Sequence, residues 1–87
     1  MKKIINGKLY DTDTAINLAE YNSPFPEGHE DFCVEILYRK TNGEYYLYEK
    51  YNMESIKPIN EDKAKKWFEK RIDNADNFIE IFGQVEE

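Results

Sequence analysis

Residues 37–51, LYRKTNGEYYLYEKY, decide the fold. They read as the heart of two strands, DFCVEILYRK and EYYLYEKYN, turned by Asn42-Gly43. Side chains on a strand alternate between faces, so a slip of one residue exchanges core for surface. A two-residue Asn42-Gly43 turn sets Tyr38 opposite Leu47, Ile36 opposite Glu49, Glu35 opposite Lys50 and Val34 opposite Tyr51. A three-residue loop starting at Thr41 pairs Tyr38 with Tyr46 and Ile36 with Tyr48, but brings the like charges of Glu35 and Glu49 together. The two-residue turn is therefore expected. One face then carries Val34, Ile36, Tyr38, Leu47 and Tyr51 as core. The other carries Glu35, Leu37, Arg39, Tyr46, Tyr48 and Lys50, and is either covered by a helix or free to bind.

Outward from the hairpin, KKIINGKLYD reads as a second hairpin about Asn6-Gly7, with Ile4 opposite Leu9 and Ile5 opposite Lys8. DTDTAINLAEY reads as a helix: Asp11 is a suitable N-cap, and Ala15, Leu18 and Ala19 make a narrow apolar stripe. NSPFPEGHED is a loop, with Phe25 expected to anchor it to the core. IKPIN is a connector or edge strand, because Pro58 has no N–H to donate. Asn60 caps a helix in which Ala64, Trp67, Phe68, Arg71 and Ile72 recur at helical spacing. In NADNFIEIFG a short helix is expected, capped by Asn74 and ended by Gly83; a strand with Ile79 and Ile81 facing inward is the alternative. The closing QVEE is expected to fray. The expected fold is a single α+β domain: a small antiparallel sheet of two hairpins, with an N-terminal helix and a C-terminal helical segment packed on it.

With 87 residues the chain buries only about 60–65% of its unfolded surface, so bulky aromatics are an efficient core. The lone Cys33 permits no internal disulfide. The opening MKKIINGKLY does not read as a signal peptide, and no apolar run nears the roughly 20 residues of a membrane helix. A cytoplasmic location is expected. The formal net charge is −6, and it is patterned. Between Lys8 and Arg39 lie seven acids and no Lys or Arg, and beyond Arg71 come Asp73, Asp76, Glu80, Glu86 and Glu87. The bases gather in Lys57, Lys63, Lys65, Lys66, Lys70 and Arg71.

Catalytic signals are weak. His29 and Cys33 lie four apart, but no orienting third group or oxyanion donor is marked. A zinc-type ligand set is missing, DTDT lacks the rest of a calcium loop, and the glycines are isolated. No enzyme activity and no cofactor or metal is expected. Binding remains. Clustered carboxylates suit a basic groove built for nucleic acid, and Arg and Tyr are the anchors that protein interfaces favour. The candidate partner-binding residues are Glu20, Glu27, Glu30, Asp31, Glu35, Arg39, Tyr46, Tyr48, Asp73, Asp76 and Glu80. The alternative is a small regulatory nucleic-acid-binding protein using Lys63, Lys66 and Lys70, which the acidic flanks oppose. A homodimer burying Tyr46 and Tyr48 is a third reading.

Three segments carry a resemblance: KKIINGKLYDTDTA, LYRKTNGEYYLY and KPINEDKAKKWFEKRIDNADNFIEIFG. Together they resemble small acidic proteins encoded on phages and integrative elements of Gram-positive bacteria, some of which resemble anti-CRISPR inhibitors. The resemblance implies a stoichiometric inhibitor of a nucleic-acid-guided host defence effector. It implies no catalytic signature and carries over no individual site residue.

Overall fold

The computed structural model describes residues 1–83. Glu86 and Glu87, and the fraying expected of QVEE, lie outside the described residues. Strands β1 (Lys2–Ile5) and β2 (Lys8–Asp11) form a separate two-stranded hairpin. Strands β3 (Ile16–Asn22), β4 (Val34–Arg39), β5 (Tyr45–Lys50) and β6 (Glu54–Ile59) form an antiparallel sheet in chain order. Helices α1 (Glu61–Arg71) and α2 (Ala75–Phe82) follow. The expected α+β arrangement with an N-terminal helix is overturned: the chain is mostly β, its strands form two sheets rather than one, and both helices are C-terminal.

The missing N-terminal helix has a physical cause. Asp11 does cap a turn, its Oδ1 accepting the Asp13 N–H at 2.9 Å and its carbonyl accepting the Ala15 N–H at 3.1 Å. The chain then opens into β3 instead of continuing the helix. Along β3 the register shifts between Asn17 and Ala19, so Leu18 is the extra residue of a bulge. Leu18, Ala19 and Tyr21 consequently all pack on one core. The bulge breaks the two-residue period and leaves apolar spacings that mimic a helix.

The two Asn-Gly pairs make different turns. Asn6 and Gly7 both have positive φ (52° and 77°), as a type I′ turn demands, and Ile4 meets Leu9 as expected. At the second pair only Gly43 has positive φ (91°). The Gly43 N–H bonds to the Lys40 carbonyl at 2.9 Å, and the Lys40 N–H to the Glu44 carbonyl at 2.7 Å. The loop is therefore the three-residue one. Tyr38 faces Tyr46, Ile36 faces Tyr48, Leu37 faces Leu47 and Glu35 faces Glu49. The expected register is displaced by one residue, and its two faces are redrawn.

In the observed register the sheet separates two cores. On one face Leu37 and Leu47 meet Ala64, Trp67 and Phe68 of α1. On the other, Tyr38, Tyr46 and Ile56 meet Tyr10 of the N-terminal hairpin. Tyr10 stands edge-on to Tyr46 at 5.3 Å, and Tyr38 stacks on Tyr46 at 5.2 Å. The helix signals are realised as read. Asn60 Oδ1 accepts the Lys63 N–H at 2.8 Å, Asn74 Oδ1 accepts the Asn77 N–H at 3.1 Å, and Gly83 closes α2 at φ 93°. Phe25 departs from its expected anchoring role. It stays 40% exposed and stacks on His29 within its own loop, at 4.6 Å.

Two substitutions test this core. Leu37→Ala empties a fully buried position and should cost about 2–5 kcal/mol, read as a lower urea midpoint from Trp67 fluorescence. The Tyr46 hydroxyl is buried with no partner, so Tyr46→Phe removes an unsatisfied group and should leave stability unchanged or raise it by about 1 kcal/mol. A clear loss on Tyr46→Phe would mean that the hydroxyl has a partner in solution.

Candidate functional site

Cross-strand partners share a face, so the observed register lays out the surface row by row. Away from the helices run two neighbouring rows: Glu20, Ile36, Tyr48 and Ile56, then Asn22, Val34, Lys50 and Glu54. The N-terminal hairpin covers the adjacent part of this face through Tyr10. It is pinned there by the turn of the central hairpin. Glu44 accepts from Lys8 at 2.7 Å, Asn42 at 2.8 Å and Lys40 at 3.2 Å, and Lys40 lies over the Tyr10 ring at 4.4 Å. These hydrogen bonds, first that from Lys8, hold the Glu44 carboxyl down at about 2.

Beyond the hairpin the sheet is partly open. Val34, Ile36, Tyr48 and Lys50 are half-buried, while Glu20, Asn22 and Glu54 are exposed at the rim. The surface continues into the 23–33 loop, where Glu27, Glu30 and Phe32 join Lys50 and Tyr51 around a groove of about 280 Å³. The loop is held at its neck, where Ser23 Oγ accepts the Cys33 N–H and the Cys33 carbonyl accepts the Ser23 N–H, both at 3.0 Å. The result is an apolar and aromatic floor rimmed by carboxylates. Among the described residues, Glu20, Glu27, Glu30 and Glu54 take part in no ion pair.

The structure sorts the candidate residues. It puts Glu20 and Tyr48 in one row of the open face, and Glu27 and Glu30 around the loop groove that Lys50 of the neighbouring row also lines, with Asp31 exposed in the same loop. Tyr46 is fully buried beneath the N-terminal hairpin, so neither it nor a dimer contact through it is presented to a partner. Arg39 and Glu35 lie on the opposite, helix-facing side. Asp73, Asp76 and Glu80 are exposed in the helical layer, so the two acidic flanks occupy different layers of the molecule. Lys63, Lys66 and Lys70 are exposed along α1, and Lys65 pairs with Glu61 at 3.6 Å. Sequence reasoning missed Glu54 as a rim residue, and it assigned Tyr38 only to the core. Each became visible only through the register.

Glu35 has a different role from the one expected. It is 4% exposed and gathers three donors: Arg71 Nε at 2.7 Å and Trp67 Nε1 at 3.2 Å on Oε1, and the Tyr51 hydroxyl at 2.6 Å on Oε2. Burial pushes its carboxyl up, but the hydrogen bonds from Tyr51 and Trp67 and the charge of Arg71 outweigh it and leave the pKa below the usual range. Arg71 in turn lies over the Tyr21 ring at 4.6 Å. Glu35 is thus a fastening behind the site, holding Tyr51 at the edge of the loop groove.

Cys33 is buried, His29 is exposed and stacked on Phe25, and the His29 Nδ1 accepts the Asp31 N–H at 3.0 Å. Among the described residues no group of three or more His, Cys, Asp or Glu is placed to hold a metal ion, and no helix is long and apolar enough to cross a membrane. Set against protein-family models, curated proteins and solved structures, the chain matches none.

Glu35 generates a pH prediction. A carboxyl whose pKa is lower in the folded than in the unfolded chain stabilises the fold fully above its unfolded value, near 4.5, and that contribution is lost as the pH falls through the folded value. Glu35→Gln should cost about 3 kcal/mol at neutral pH, the low end for a broken buried pair because Arg71 keeps some access to water. Below pH 4.5 the gap between variant and parent should narrow. A gap that stays constant down to acid unfolding would remove Glu35 from the acid-sensitive interactions.

Proposed function

We propose that this chain is a non-enzymatic protein-interaction module of a mobile genetic element, acting in the host cytoplasm as an inhibitor of a defence effector that binds nucleic acid. It does so in the manner of anti-CRISPR proteins, by occupying a basic surface of the effector. The observation that carries the reading is the half-open sheet face, where Tyr48, Ile36 and Val34 share rows with Glu20 and Glu54, and the loop groove beside Lys50 that Glu27 and Glu30 line; none of these four carboxylates takes part in an ion pair among the described residues. Carboxylates without intramolecular cations are free to meet external ones, and they steer encounter with a basic partner. Half-buried aromatic and aliphatic groups supply the area that charge alone does not. The contact surface is drawn on the N-terminal acidic flank and its loop, because the second flank lies in the other layer.

The test is capture of a nucleic-acid-binding effector from a related bacterial lysate by the tagged chain, with and without nuclease treatment. Capture should survive nuclease, and the purified pair should form a stoichiometric complex that excludes the effector's nucleic acid. Reversing Glu27 and Glu30 to Lys should weaken the complex by about tenfold or more, with greater sensitivity to salt. Undiminished binding by the reversed variant would overturn the reading. Recovery of nucleic acid with no protein partner would overturn it too, in favour of the Lys63, Lys66 and Lys70 face.

A further inference from the structure

Where the N-terminal segment meets the open sheet, a groove of about 270 Å³ is lined by Met1, Thr12, Ile36, Tyr38, Tyr48 and Glu54. Tyr38 is 8% exposed, yet its hydroxyl has no hydrogen-bond partner among the described residues. It is a largely buried phenol that lines the groove. Burial, then Glu20 and Asp13, push this hydroxyl up; burial and Glu54 do the same to Tyr48. Both phenols therefore stay neutral and keep acceptor lone pairs in a negative field. Asp13, Glu20 and Glu54 form no ion pair among the described residues. Two cations stand near. The Met1 ammonium donates to Thr12 Oγ1 at 2.8 Å, and Lys50 is the β5 residue opposite Glu54, but neither is bridged to these carboxylates.

We propose that this groove is a socket for a single arginine side chain of the partner protein, its guanidinium lying against Tyr48 while Glu54 and the Tyr38 hydroxyl accept its N–H groups. The inference rests on the reading that the acidic face meets a basic protein surface, and it names the side chain read there. The chemistry selects arginine over lysine. A guanidinium is planar, is weakly hydrated, stacks on aromatic rings and presents several donors at fixed angles. The socket offers one ring, one carboxylate and one phenol oxygen, a mixed set that a compact, strongly hydrated ammonium uses poorly.

The experiment uses the full chain, ¹⁵N-labelled, titrated with N-acetyl-arginine amide and, separately, with N-acetyl-lysine amide. The arginine probe should give saturable shifts centred on the amides of Ile36, Tyr38, Tyr48 and Glu54, with affinity about threefold or more above that of the lysine probe. Glu54→Gln should weaken it by about threefold or more. Tyr38→Phe, which removes a hydroxyl with no intramolecular partner, should weaken it without lowering the urea midpoint. Equal response to both probes, or shifts unchanged by Glu54→Gln, would overturn the socket. The captured effector separates this failure from that of the parent reading: if the Glu27 and Glu30 reversals abolish capture while Glu54→Gln and Tyr38→Phe leave it intact, the socket falls and the interaction surface stands.

Discussion

One buried carboxylate organises the molecule. Glu35 sits in the second strand of the four-stranded sheet, yet it is bonded by two side chains of the first helix, Trp67 and Arg71, and by Tyr51 just beyond the third strand. An ionised group in that position is costly unless it is paired and hydrogen-bonded, and here three donors reach it, one of them charged. The same contact explains the register. Placing Glu35 opposite Glu49 looks repulsive as an isolated strand pair, but Glu35 is committed to the helix layer, where Arg71 balances its charge. That commitment lets Leu37 meet Leu47 and Tyr38 meet Tyr46, an apolar and aromatic pairing that the alternative register forgoes.

A sheet has two faces, and a chain of this length has few elements with which to cover them. Both helices go to the face that Glu35 selects. The other face receives only a two-stranded hairpin, attached through Tyr10 and the Lys8, Lys40 and Glu44 cluster. Part of the sheet is therefore left half-buried. The sheet's edges are also managed: the outer strand β6 carries Pro58, and the opposite edge strand carries the bulge at Leu18, both of which hinder pairing with a foreign strand. The surface left uncovered is thus the open face and the loop beside it.

Local signals were legible wherever a single residue type dictates backbone geometry. Asn6-Gly7 specified its turn, Asn60 and Asn74 specified helix starts, and Gly83 specified a helix end. Signals that depend on tertiary pairing were not. The Leu18 bulge gave β3 an apolar spacing that a helix would also show, and nothing within eleven residues separates the two. Asn42-Gly43 satisfies either of two turn lengths, and the deciding contacts on Glu35 come from Trp67 and Arg71, both more than thirty residues beyond Glu35 itself. The candidate site inherits this pattern. Exposed loop acids such as Glu27 and Glu30 could be read directly, whereas the burial of Tyr46 and the exposure of Tyr48 depend on which of two adjacent tyrosines faces a covered row.

The tyrosines of the central hairpin therefore divide their work by row rather than by residue type. Tyr46 serves as volume: its ring is enclosed by Tyr10 and Tyr38, and its hydroxyl is carried into the core without a partner. Phenylalanine supplies the same ring without this polar liability, so packing accounts for the ring and not for the oxygen. Tyr48, two residues on along the same face, lies past the covering hairpin and keeps its ring partly in solvent. Tyr38 stands between them, with its ring in the core and its hydroxyl at the groove. The boundary between covered core and open face runs across this triad, where the N-terminal hairpin ends. A hairpin extended over the Glu20 and Tyr48 row would cover that row; one that reaches the sheet through Tyr10 leaves Val34, Ile36 and Tyr48 half-buried, with Glu20 and Glu54 exposed beside them.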